Sequence, residues 1–252
     1  MLEGEVKYER CVVVSQPMYF PWLGILEQIR LCDTFVYYDD VQYARGFFNR
    51  VQIKTQSGIR WLTVPLLDWH RGQLINEVRI DNSTDWKRSH RDQLKQAYAE
   101  APFKDSMLNL VDEVFSCDYD VIGDLAQAST DALVRSFSPI AQNKPFLRSS
   151  SMGIEGASSK RLIDICVSLK ADCYLTGHGA RKYLEHEHFE TQGIDVAYID
   201  YGLTEYPQLH GPFTPYVSTL DMIANCGVSG LTHIRGKSIP WRGFLLTSGS
   251  NK

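Results

Sequence analysis

Ser15-Gln16-Pro17-Met18-Tyr19-Phe20-Pro21-Trp22-Leu23-Gly24 joins an apolar run to a helical pattern through a turn built of rigid residues. Upstream, Val12, Val13 and Val14 read as a short buried strand. Downstream, Leu23, Leu26 and Ile29 fall at helical spacing, so the turn ends at a helix N-terminus whose unpaired N–H groups favour an anion. Pro17 and Pro21 fix φ within the turn, and each biases the residue before it, Gln16 or Phe20, toward extended backbone. By patterning alone, Tyr19, Phe20 and Trp22 serve equally well as a core plug or as a ligand wall.

Thr34-Phe35-Val36-Tyr37-Tyr38 reads as a second strand and ends directly in Asp39-Asp40. Strand, turn, helix and strand make a βαβ unit, whose ligand side lies at the carboxyl ends of the strands. Gln16, Tyr19, Asp39 and Asp40 are expected to gather there. Of the two carboxylates Asp39 is favoured for the crevice, because Asp40 can bond the loop that follows. The next segment carries Gln42, Asn49 and two guanidiniums, Arg45 and Arg50, suited to clamping a carboxylate or phosphate. Val51–Lys54 and Arg60–Val64 flank a turn at Gln56-Ser57-Gly58 and read as a hairpin, with Lys54 directed at the same crevice. A third short strand is expected over Ile75–Ile80. Helical stripes follow over 86–100, 106–115 and 121–137, a helical insertion spanning about 84–140.

Ser158-Ser159-Lys160-Arg161 opens a further helix with hydroxyl caps and two cations, a candidate phosphate site to which Ser158, Ser159 and Lys160 are assigned. That helix runs into Ala171–Leu175, a strand, and then Thr176-Gly177-His178-Gly179-Ala180 and Tyr183. Glycines on both sides of His178 let backbone approach a ligand and leave the imidazole uncovered. His186 and His188 lack a third ligand at zinc spacing and read as surface-loop residues. Residues 193–201 alternate as a strand; Ser218 caps a helix over 219–225, with Asp221 at its third position able to close a capping box.

The chain has 252 residues, 26 Lys+Arg and 30 Asp+Glu, a net charge of −4 with no long basic block, which disfavours a long nucleic acid and favours a small-molecule substrate. Its six cysteines show no metal or redox spacing, so no metal is expected. The N-terminus lacks a signal-peptide pattern and no apolar run approaches membrane-spanning length, so a cytoplasmic location is expected. No Gly-rich nucleotide loop, HExxH or GxSxG is present. The expected architecture is α/β: a Rossmann-like, mostly parallel sheet flanked by helices, with the helical insertion in the middle of the chain. Its expected boundaries are an N-terminal extension over 1–10, one domain over 11–240 and a C-terminal tail over 241–252.

Gln16–Gly24, Asp33, Asp39-Asp40-Val41-Gln42-Tyr43, Asn49-Arg50, Trp61-Leu62-Thr63-Val64-Pro65, Tyr174-Leu175-Thr176-Gly177, Tyr183-Leu184 and Ser218-Thr219-Leu220-Asp221 together resemble the WbqC-like family, over about residues 11 to 228. The resemblance implies a biosynthetic enzyme of O-antigen, other surface-glycan or small-metabolite synthesis. The expected reaction is transfer of an acyl or aminoacyl group onto the amine of an amino sugar or related metabolite. It needs a base for the amine and donors for the oxyanion. Asp39, Asp40 and His178 are the catalytic candidates; Gln16, Tyr19, Trp22, Gln42, Asn49, Arg50, Lys54, Gly177 and Tyr183 are the substrate-binding candidates. No cofactor is assigned by the sequence; an acyl-thioester, an aminoacyl donor or ATP is compatible with this reading, as are a carrier-protein or aminoacyl donor and a homodimer as partners. Two other readings stay open. One is nucleotidyl transfer or an ATP-dependent ligase, against which the missing His-x-Gly-His signature counts. The other is a non-catalytic nucleotide-sugar or glycan binder using aromatic loops.

Overall fold

A computed structural model describes residues 8–44 and 46–249; Arg45, one of the two guanidiniums expected to clamp an anion, lies outside the described residues. The strands are β1 (Cys11–Ser15), β2 (Thr34–Tyr37), β3 (Arg50–Thr55), β4 (Gly58–Thr63), β5 (Leu66–Leu67), β6 (Arg79–Ile80), β7 (Phe146–Arg148), β8 (Cys173–Thr176), β9 (Asp195–Asp200) and β10 (Lys237–Pro240). The helices are α1 (Leu23–Leu31), α2 (Trp86–Ala97), α3 (Lys104–Phe115), α4 (Ile122–Ser136), α5 (Ser158–Ser168), α6 (His186–Thr191), α7 (Thr219–Cys226) and α8 (Trp241–Gly249). Six strands form the central sheet in the order β10-β9-β8-β1-β2-β7, parallel except for β10. The fold is therefore α/β with a mostly parallel sheet flanked by helices.

The period of two along each strand sorts the core into two faces. Val13, Phe35, Tyr37, Leu175 and Ile199 pack with the apolar stripes of α1 to α4 and α7, whereas Val12, Val14, Val36, Tyr174, Val196 and Tyr198 pack with α5, α6 and α8. Burial on both sides explains why these strands read as continuous apolar runs. Between β2 and β7 the chain leaves the sheet for the β3–β4 hairpin, the β5–β6 ribbon and helices α2, α3 and α4. The expected strand over Ile75–Ile80 contracts to β6, because Ile75 and Val78 are core residues of a turn rather than members of a ladder. From 241 onward, where a tail is expected, the chain forms α8 and buries Phe244 against Tyr198 at a ring separation of 4.2 Å.

The opening turn is fixed by three distant segments. Tyr19 N–H donates to Phe48 O, Phe20 N–H to Ser129 Oγ, and the hydroxyls of Ser218 and Thr219 donate to Phe20 O and Pro21 O. Such clamping holds Phe20 at a φ of 40°, a conformation an L-residue adopts only under constraint. Gly24 is required beside this turn, because the Trp22 ring lies 2.2 Å from where a Cβ would stand.

Tyr19 is fully buried, and its hydroxyl meets His90 Nδ1 at 3.0 Å while His90 Nε2 lies 3.2 Å from Thr63 O. A carbonyl only accepts, so Nε2 carries the proton and Nδ1 accepts from Tyr19. Burial pushes the His90 imidazole down from its ordinary value to about 4. The unfolded chain then takes up a proton below about 6.5 that the native state refuses until about 4, so stability falls with pH across that window. From pH 7 to pH 5 the loss from this group is expected to be about 2 kcal/mol. Urea denaturation of wild type and His90→Gln checks it, the variant losing this part of the slope.

Candidate functional site

The order of the sheet has one reversal: the chain moves from β1 to β2 on one side and returns to the other side of β1 with β8. Carboxyl ends that diverge at such a point leave a crevice. A cavity of about 1080 Å³ lies there, lined by Ser15 and Gln16 at the end of β1, Asp40 and Gln42 after β2, Thr176 to Gly179 at the end of β8, and Asp200 and Tyr201 at the end of β9. Trp22, Ser158, Arg161, Tyr183 and Tyr216 complete its working surface.

His178 stands at the β8 end, held by Nε2 at 2.6 Å from Ile199 O and packed against the rings of Tyr201 and Phe244 at 5.1 and 4.7 Å. The carbonyl again fixes the tautomer, with the proton on Nε2 and a lone pair on Nδ1. Nδ1 has no partner among the described residues. The glycine before it is dictated by close approach, since a Cβ at Gly177 would lie 2.8 Å from the Tyr201 hydroxyl. That hydroxyl accepts from Gln28 Nε2 at 3.2 Å, and burial raises it to about 12, so it remains protonated.

The other wall is an ion pair. Arg161 places Nη2 at 2.5 Å from Asp40 Oδ2, donates Nε–H to Ile154 O, and lies with Cζ 5.1 Å from the centre of the Tyr38 ring. Burial pushes the Asp40 carboxyl up, but the Arg161 and Ser149 hydrogen bonds outweigh it and hold the group below the ordinary carboxylate range. Asp40 is an ionised acceptor and a weak base. The side chains are 19% and 7% exposed for Asp40 and Arg161, so removing one partner strands a partly buried charge. Asp40→Asn is expected to cost about 2–3 kcal/mol in urea denaturation, near the low end for buried pairs because cavity water screens it. Adding Arg161→Met is expected to recover most of that loss; equal instability of single and double variants would show that the pair is not coupled.

Eight of the residues picked from sequence therefore share the cavity: Gln16, Trp22, Asp40 and Gln42 on one side, Ser158, Gly177, His178 and Tyr183 on the other. Seven do not line it. Tyr19 is core, as described. Asp39, favoured over Asp40 from sequence, is 1% exposed and accepts from Ser150 N and Ser150 Oγ, shaping the turn after β7. Asn49 bonds Tyr43 and Val64 O, and Arg50 lies 4.4 Å over the Trp61 ring; both face a separate cleft of about 470 Å³. Lys54 is buried, its ammonium donating to Gln208 Oε1, Gly211 O and Pro212 O. Ser159 is buried against Glu185 N and Tyr183 O, and Lys160 is exposed in an i,i+4 pair with Asp164. The cation at the start of α5 that faces the cavity is Arg161, which shares the helical phase of Ile165 four positions on. His186 is likewise no surface-loop residue: it opens α6, is 6% exposed and meets the Tyr198 hydroxyl at 2.8 Å.

Among the described residues no group of His, Cys, Asp or Glu side chains could hold a metal ion, and no helix is long and apolar enough to cross a membrane. No solved structure matches the chain. The uncharacterized protein Rv1507c of Mycobacterium tuberculosis is 31% identical over 227 residues, covering 89% of this chain and 97% of that protein. The family model described as the WbqC-like protein family matches residues 16–233, a span that takes in the opening turn, both carboxylates, the His178 loop and the Ser218-Thr219 clamp. A cavity built from the ends of β1, β2, β8 and β9 thus falls almost wholly inside the matched span, and the chain belongs to the WbqC-like protein family.

Proposed function

We propose that the protein is a group transferase that moves an acyl or aminoacyl group from a thioester or similarly activated donor onto the amine of an amino sugar or related small metabolite. The observation that carries this reading is the fixed tautomer of His178, which leaves a lone pair on Nδ1 of a cavity-lining imidazole. In the step proposed, the amine nitrogen attacks the thioester carbonyl and forms the N–C bond. His178 Nδ1 takes the proton the nitrogen sheds, the C–S bond breaks, and the proton passes to the departing thiolate. The imidazolium formed on the way is steadied by its Nε2–H bond to Ile199 O. Gln16 and Gln42 line the cavity with side-chain amides that make no hydrogen bond among the described residues, and these are the donors assigned to the oxyanion.

A nucleotidyl-transfer or ligase reaction is less well supported. Arg161, the guanidinium on the cavity wall, is already neutralised by Asp40, and Asp200 adds a second carboxylate, a poor setting for a triphosphate. The test is incubation of the intact protein with acyl-thioesters and aminoacyl donors against amino sugars, with product mass as the readout. An N-acylated product formed only with the protein is expected; absence of product from every pair overturns the reading.

A further inference from the structure

We infer that Asp200, Trp22, Tyr201 and Tyr216 form a cation subsite in this cavity that receives the acceptor as its ammonium form. The inference rests on the amine-acceptor reading above and specifies the acceptor: a small cation, not a nucleotide-linked or otherwise polyanionic molecule.

Charge points to it first. Asp40 and Arg161 on the cavity wall cancel as an ion pair. Asp200, at the end of β9, is exposed to the cavity and has no ion pair or side-chain hydrogen bond among the described residues. Apart from His178, the described wall carries one charged side chain outside an ion pair, Asp200, and it lies between Ile199 and Tyr201, which hold His178, with Lys237 opposite it in the β9–β10 ladder. A cation drawn to Asp200 is thereby brought beside Nδ1; the ammonium gives one proton to solvent, and the neutral amine then attacks and sheds its second proton to Nδ1.

The rings supply the second, independent observation. Trp22 lies between Tyr201 at 4.9 Å and Tyr216 at 5.9 Å, tilted by 49° and 45° rather than stacked. The three rings are not stacked into one another and all three line the cavity, so aromatic surface is available there to a ligand. Indole is the strongest cation–π partner, and a neighbouring carboxylate adds to the attraction for the same ligand charge. The shelf is rigid at its base: Gly24 leaves room for the indole, and Gln28 tethers the Tyr201 hydroxyl. Tyr216, 58% exposed, stands at the rim where an acceptor enters.

Titration of the full chain with tetramethylammonium, glucosamine, N-acetylglucosamine and ATP, followed by tryptophan fluorescence, tests the subsite. Saturable changes are expected with the two cations and not with the neutral amide or the nucleotide, and Trp22→Phe abolishes the signal. Asp200→Asn is expected to weaken glucosamine about tenfold, one ion-pair or cation–π contact, with Asp200→Glu restoring most of it. His178→Gln retains the binding. Equal responses to glucosamine and N-acetylglucosamine, unchanged affinity in Asp200→Asn, or no saturation by either cation overturns the subsite. The two readings fail separately. Cation binding without any N-acylated product leaves the subsite standing and removes the transferase, whereas product formation with an unaltered acceptor KM in Asp200→Asn does the reverse.

Discussion

Replacing Asp221 by alanine is expected to destabilise the protein by about 3–5 kcal/mol, the range for removing one partner from a buried charged network. Ser218 caps α7 through Leu220 N–H as its sequence position implies, but Asp221 does not close a capping box with it. Its carboxylate is fully buried and accepts from Tyr206 Oη at 2.9 Å, Tyr98 Oη at 3.0 Å and Asn225 Nδ2 at 3.3 Å, with the Lys54 ammonium attracted to the same charge. Alanine would leave the two tyrosine hydroxyls without this acceptor and Lys54 without its counter-charge, while Asn225 keeps its bond to the Asp221 carbonyl; the loss is still far more than the roughly 1 kcal/mol that a helix cap contributes. Asp221→Asn keeps one acceptor oxygen and should fall between the two.

Burial pushes this carboxyl up, only partly offset by the two tyrosines and Lys54. Because its folded value stands above its unfolded one, its contribution to stability is full below the unfolded value and declines as pH rises through the folded one. The asparagine variant lacks that slope. Chemical denaturation across pH measures both effects, and a wild-type midpoint for Asp221→Ala would remove the network from the account of stability. The same network reaches the site. Lys54 and Gln208 pin the segment that carries Leu203 and Tyr216 to the cavity rim, so loosening it should weaken acceptor binding as well.

Asp221 and Lys54 also show where the sequence ceases to be legible. The βαβ unit, the β3–β4 hairpin, the three inserted helices and the glycine-flanked His178 follow from local signals: proline positions, period two against period 3.6, and a turn between β-rich runs. Polar residues inside such elements are ambiguous locally. Tyr19, Asn49 and Lys54 look like ligand-binding groups until their partners are known, and for Tyr19 and Lys54 those partners, His90 and residues 208–212, lie far away in the chain. The converse error hid Asp200, Tyr201 and Tyr216, whose place depends on β8 and β9 returning on the far side of β1, while Arg161 is legible as one of two cations opening α5 but not as the one that meets the cavity. Asp39 and Asp40 were separable only by geometry: one side chain turns into the Ser149-Ser150 turn and the other meets Arg161.

Loss of His178 is expected to lower kcat/KM for amine acylation by about 10²–10⁴, the usual worth of a positioned base, with little change in stability. The side chain is exposed on the loop after β8, and its removal breaks the bond to Ile199 O and the ring contacts with Tyr201 and Phe244. Alanine therefore alters position and basicity together, and a second variant is needed to part them. In His178→Gln the amide N–H can still donate to Ile199 O, so the loop is kept while the lone pair of Nδ1 is lost. Equal loss in the two variants assigns the effect to the base; near-normal turnover in glutamine with loss in alanine assigns it to holding the loop. Free imidazole added to His178→Ala should restore the part of the rate lost with the base, because the cavity then has room for a ring that takes the proton. A positioning defect would not respond to it. Full turnover in both variants would remove His178 from the chemistry and leave the amine to lose its proton to water or to the donor itself.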